Sequence, residues 1–183
     1  MAYDYLKPFT YPLLYSFRGG EVRARYENYF EAVDEKDIQE LETLLGCSLP
    51  SQLLEFYREI GCGFLRYAIN SPDRGKNPTG FSNRILDPTD IYAIKAKTGE
   101  YPLYEYSIFG AKEIEFQEHE IPVFEICDSQ YFMVMHPWSD KPNAVYEHCS
   151  GLATDESDLI EEDFSTFIYN LYHKGANYYA EGR

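Results

Sequence analysis

No stretch of this chain approaches the roughly 18 consecutive apolar residues of a membrane-crossing helix, and its start, MAYDYLKPFTYP, lacks the basic-then-apolar layout of a secretory leader. A cytoplasmic protein with no membrane partner is expected. Cysteine is sparse: Cys47, Cys62, Cys127 and Cys149 lie far apart and never form a CxxC, so neither a disulfide framework nor a zinc knuckle is signalled. Basic residues are scarce as well. Sixteen Lys and Arg stand against 31 Asp and Glu, a formal net charge of −15. Phosphate binding draws on Lys and Arg for counterion release, so the charge argues against nucleic acid as a ligand and favours a basic partner. The same acid excess also serves solubility by itself.

Signatures of catalysis are missing too. His119, His136, His148 and His173 form no HExxH or HxH, and His148-Cys149 on a strand would point to opposite faces. Gly75-Lys76 is no phosphate loop. That motif needs a glycine five residues before the Gly-Lys pair, where this chain has Asn70, and Ser or Thr directly after it, where it has Asn77. Hence no catalytic residue, metal ligand or cofactor is assigned. A Cys–His pair that meets only in space stays open. There is no internal repeat.

What is present suits a folded domain: 183 residues, 44% apolar, 26% charged, with 18 Tyr and 12 Phe. Residues 1–33 hold nine of these aromatics and read as an extension packed on a domain spanning 34–175, followed by a tail at 176–183. Asp34 with Asp37 caps a helix whose Ile38, Leu41, Leu44 and Leu45 recur at helical spacing until Gly46. Pro50 opens a second helix with Leu53, Leu54, Tyr57 and Ile60 as its stripe, stopped by Gly61. Asn70 to Arg84 reads as a surface loop, and Asp87-Pro88-Thr89-Asp90 starts a helix that ends before Gly99. Glu113 to Phe116 alternates as a half-buried strand, Ile121–Ile126 and Tyr131–Met135 form a hairpin, and Ala144 to Tyr146 is a further strand. Phe164, Phe167, Ile168, Leu171 and Tyr172 mark a last helix behind Asp163. The order implies a single α+β domain, a mainly antiparallel sheet with helices packed on one side.

Two acidic runs are candidates for binding a basic protein. One is Glu113, Glu115, Glu118 and Glu120, with Glu100, Tyr101, Tyr104, Glu105 and Tyr106 nearby as aromatic anchors. The other is Asp155, Glu156, Asp158, Glu161, Glu162 and Asp163. Helix capping and a solvated surface account for the same carboxylates, and ordinary core for the tyrosines.

The ordered set of Ile38, Leu41, Glu42, Gly46, Leu49-Pro50, Phe56, Gly61-Cys62-Gly63, Ile85 to Pro88 with Ile91, Ile121-Pro122-Val123-Phe124, Tyr131-Phe132, Val145-Tyr146 and Phe164 with Phe167 resembles the SUKH superfamily. That superfamily contains immunity proteins and yeast cell-wall regulators of the Smi and Knr type. It often has Asn-Gly where this chain has Ile60-Gly61, and residues 1–33 and 70–84 fall outside its pattern. The resemblance implies a non-catalytic bacterial antitoxin that occludes a cognate toxin, a basic nuclease fitting the charge. Its alternative is a scaffold or regulatory interaction domain of the same fold with no toxin. The motif residues it carries, Gly46, Leu49, Pro50, Phe56, Gly61, Pro88, Pro122 and Phe164, are packing residues.

Overall fold

A computed structural model describes residues 2–11, 28–65, 83–98, 104–107, 110–113, 115–126, 131–148 and 158–174. Four α-helices lie among them: α1 (Glu35–Leu45), α2 (Ser51–Glu59), α3 (Pro88–Ala96) and α4 (Phe164–Lys174). Eight strands form one sheet in the order β1 (Thr10–Tyr11), β2 (Tyr29–Glu31), β3 (Cys62–Leu65), β4 (Asn83–Ile85), β7 (Ile121–Ile126), β8 (Tyr131–Met135), β9 (Val145–Glu147) and β10 (Asp158–Glu161). β1 and β2 run parallel, and every other neighbouring pair is antiparallel. β5 (Tyr104–Ser107) and β6 (Gly110–Glu113) make a separate two-stranded hairpin. This is the α+β arrangement expected from the order of apolar patterns.

Register assigns the two faces. Cross-strand partners share a face, so Phe30, Gly63, Ile85, Phe124 and Met133 form one row and Tyr29, Phe64, Arg84, Glu125 and Phe132 the adjacent one. The first row lies under helices: Phe30 meets Phe56 of α2 edge-on at 5.9 Å between ring centres, and Phe124 meets Phe167 of α4 at 5.4 Å. Phe56 also packs edge-on against Tyr3 (4.9 Å) and Phe164 (5.6 Å). Such ring pairs each add about 0.5–1.5 kcal/mol beyond the area buried. All four helices send their stripes into this core: Ile38 and Leu41, Leu53 and Phe56, Ile91 and Ile94, Phe167 and Leu171 are buried. Tyr3 and Leu6 near the start of the chain are buried in the same core.

Helix starts follow local chemistry. The Asp34 carboxylate accepts from Lys36 N (2.9 Å), Asp87 from Thr89 N (2.7 Å) and Asp163 from Thr166 N (2.8 Å), each satisfying an otherwise orphan amide. Pro50, expected inside the first turn of α2, is instead the residue before it and offers no side-chain acceptor. The amide of Gln52 bonds to Asn143 Oδ1 (3.0 Å) from the turn ahead of β9. Gly46 ends α1 at φ +69, in the left-handed conformation that favours glycine. Gly61 does more than stop α2: a Cβ there would overlap the Glu31 carbonyl oxygen, so the residue lets β3 begin against β2.

Several expectations are corrected. Asn83 and Arg84 belong to β4 rather than to a surface loop, because their backbones pair with Leu65 and Phe64. The end of α3 agrees with expectation: the helix closes at Ala96 with Lys97 left-handed (φ 52), before Gly99. The strand near Glu113 is Gly110–Glu113, and Glu115 to Gln117 are not in a strand. Asp158–Glu161, read as part of an acidic run and not as a strand, is β10. Leu44, counted in the stripe of α1, is 39% exposed.

Candidate partner-binding face

The acidic face expected around β5, β6 and the segment leading to β7 is only partly placed. Glu100 and Tyr101 lie outside the described residues. Tyr104, Glu105 and Tyr106 are in β5, and Glu113 pairs with Tyr104 across the hairpin; their side chains lie outside the described residues. Asp155 and Glu156 lie outside them as well. Glu115 and Glu118 are exposed. Glu120 is the exception among the alternating acids: it is 2% exposed, so it belongs to the interior rather than to a solvent face. Its carboxylate accepts from Gln117 N (2.9 Å) and lies 2.9 Å from His148 Nδ1. A buried carboxylate persists only with such partners.

This inward turn shapes the whole segment 115–120. Lys95 of α3 reaches across and donates to the carbonyls of Gln117 (3.0 Å), Glu118 (3.0 Å) and Glu120 (2.9 Å). Its ammonium is thus committed to the backbone. Burial pushes its pKa below the ordinary lysine value, against the pull of Glu120 and Glu118. With the loop pinned from inside, Glu118 stands outward beside His119, and the two join Leu44, Leu45, Lys95 and Trp138 around a hollow of about 410 Å³.

Histidines that have no pattern in sequence meet here. The His119 ring is 4.8 Å from that of His136, which stacks on Tyr146 at 4.2 Å, and His148 lies against Phe116 at 4.6 Å. Burial, then the neighbouring His119, lowers the pKa of His136, with Glu120 opposing. No group of three His, Cys, Asp or Glu able to hold a metal ion occurs among the described residues. Nothing in the sequence marks this cluster, because its members sit on separate segments.

A second polar centre lies in the row beyond the helices. Arg84 is 8% exposed and pairs with Asp90 (3.1 Å) and Glu125 (3.2 Å), beside a hollow of about 240 Å³ edged by Glu31, Cys62, Phe64 and Asp87. Burial raises the pKa of Asp90 even with Arg84 against it. The Cys62 thiol donates to Asp87 Oδ2 (3.3 Å), and burial pushes its pKa well up, which keeps it protonated and a poor nucleophile. Of the second run, Glu162 pairs with Lys141 (2.9 Å), Glu161 accepts from Asn170 (2.7 Å), Asp163 caps α4, and Asp158 is exposed at the start of β10.

Taken together, sheet, helices and committed polar groups define an acidic α+β domain. Its family follows from sequence comparison: residues 32–170 match the model of the SMI1 / KNR4 family (SUKH-1), and the chain belongs to that family. It is similar to a protein of Bacillus subtilis (strain 168) named immunity protein YxxD, 26% identical over 142 residues that span 77% of this chain and 86% of the relative. No solved structure matches. No helix among the described residues is long and apolar enough to cross a membrane.

Proposed function

We propose that this chain is an immunity protein that neutralises a cognate toxin domain by binding it and covering its working surface, without catalysis of its own. The likeness to a relative named as an immunity protein, over 77% of this chain, carries the reading. Family membership supports it. The net charge of −15 adds the chemistry of the partner: a toxin with a basic face, of the kind a nuclease uses to hold phosphate, meets complementary charge here. Exposed Glu115 and Glu118, together with Glu113 and the β5 positions Tyr104, Glu105 and Tyr106, form the approach side of that face. Carboxylates there steer encounter, and the aromatic residues supply contact area. The protein acts in the compartment where the toxin would otherwise harm its own producer, the cytoplasm for a nuclease.

The experiment is co-expression with the toxin domain encoded next to this chain's gene. Growth is restored when both are made, and the purified pair elutes as one complex whose association slows steeply as salt rises. Cells that die despite abundant soluble chain would refute the reading.

A further inference from the structure

Five large apolar side chains are exposed among the described residues, and three of them gather in one place: Leu44 (39%) at the end of α1, Tyr92 (37%) on α3 and Trp138 (50%) on the turn after β8. They edge two adjoining hollows of about 640 Å³ and 410 Å³ that share Leu44. Exposed aromatics beside a concavity are the side chains that anchor protein interfaces. The turn that carries Trp138 is also held in place. Ser139 donates to the His136 carbonyl through both N (3.0 Å) and Oγ (2.8 Å), and Lys141 N bonds to Ser139 Oγ (3.2 Å), so the turn is already ordered before any partner arrives.

Charge selects the occupant. The two ammonium groups lining the hollows are engaged within the chain, Lys36 with Glu40 (3.1 Å) and Lys95 with three loop carbonyls. Glu118, by contrast, is exposed on the rim. A second copy would bring a further charge of −15 to the contact, which like-charge repulsion opposes. We propose that Leu44, Tyr92 and Trp138 anchor the docking of a basic protein. The partner seats an apolar side chain between Leu44 and Trp138 and sets a Lys or Arg against Glu118 and the indole face. This inference rests on the antitoxin reading and gives that reading a place on the surface, next to the acidic approach side but centred on α1, α3 and the Trp138 turn.

The test uses the inactivated toxin domain encoded beside this chain's gene, titrated against the full chain. Trp138 is the chain's one tryptophan, so labelling with 5-fluorotryptophan gives a single fluorine resonance that reports on this surface. That resonance moves on adding the toxin domain. Leu44→Asp and Trp138→Ala each weaken binding at least about tenfold, the scale of a truncated anchor, while Leu159→Ser, exposed on β10, binds like wild type. If Leu44→Asp fails to fold, Tyr92→Ala and Glu118→Lys carry the same expectation. Tight wild-type binding with an unmoved resonance and unweakened variants overturns this surface and leaves the antitoxin reading standing. A wild-type chain that binds no toxin domain overturns both. A fluorine shift that follows chain concentration alone, with a dimer by sedimentation, assigns the surface to self-association and overturns the proposal.

Discussion

Alanine at Gly61 is expected to cost several times what it costs at Gly46, although both glycines close a helix. At Gly46 φ is +69 and a Cβ would meet nothing within 4 Å. The cost is then the left-handed backbone alone, about 1 kcal/mol. At Gly61 φ is +106, and a Cβ would overlap the Glu31 carbonyl oxygen, lying 2.6 Å from its carbon and 3.2 Å from Ala32 Cα. All three atoms are backbone, so no rotamer change relieves them. β2 must move off β3, to which it is joined at only three residue pairs, and the move pulls Phe30 away from Phe56. Backbone strain of about 1–3 kcal/mol plus that disruption brings the total to about 3–5 kcal/mol, the range of severe single substitutions. Urea unfolding followed by circular dichroism measures both variants. For a chain of this size the melting temperature drops about 2–4 °C for Gly46→Ala and more than about 6 °C for Gly61→Ala. A Gly61→Ala protein within about 1 kcal/mol of Gly46→Ala would refute the close approach of β2 and β3.

Three further outcomes are expected. Asn143→Ala removes the acceptor that caps α2 from a distance and lowers unfolding free energy by about 1 kcal/mol; a change under a few tenths would mean that water caps the helix equally well. Arg84→Met leaves half-buried Asp90 and buried Glu125 without their shared cation and costs about 3–5 kcal/mol at neutral pH. The deficit shrinks in acid as Asp90, whose pKa burial raises, takes up a proton, and a deficit that stays constant with pH would contradict that cause. His136 has its folded-state pKa lowered by burial and by His119, with Glu120 opposing. The unfolded chain therefore binds the proton more readily, and stability falls as pH drops below about 6.5 and on through the lower folded value. His136→Phe, which keeps a ring against Tyr146, should flatten that part of the pH–stability profile. An unchanged slope would assign it to other groups.

Elements whose signals are local were legible from sequence. Asp34, Asp87 and Asp163 each cap amides two or three residues onward, so the starts of α1, α3 and α4 follow from neighbours in the chain. The β7–β8 hairpin follows from two apolar runs around a short turn. β3 was missed because it is four residues long, and its strand character comes from partners on either side rather than from its own pattern. β10 was hidden under its acids: Leu159 is exposed and the strand is defined by pairing with β9. Glu120 was misplaced for the same reason. Alternation put it with Glu118, while His148, 28 residues further on, and the Gln117 amide hold it inward.

Composition and local spacing thus determined that the chain folds as one acidic α+β domain, where three of the four described helices begin, and, through an ordered set of packing residues, the family to which it belongs. Tertiary structure alone decided which charges remain available to a partner. Lys95 is committed to the loop carbonyls, Arg84 to Asp90 and Glu125, and Glu120 to the interior. It also brought Leu44, Tyr92 and Trp138 from three segments to one surface. Caps and periodicity act over a few residues and are written in the order of the chain. Ion pairs and exposed apolar surface depend on which segments end up side by side, and that follows from burying the whole core at once.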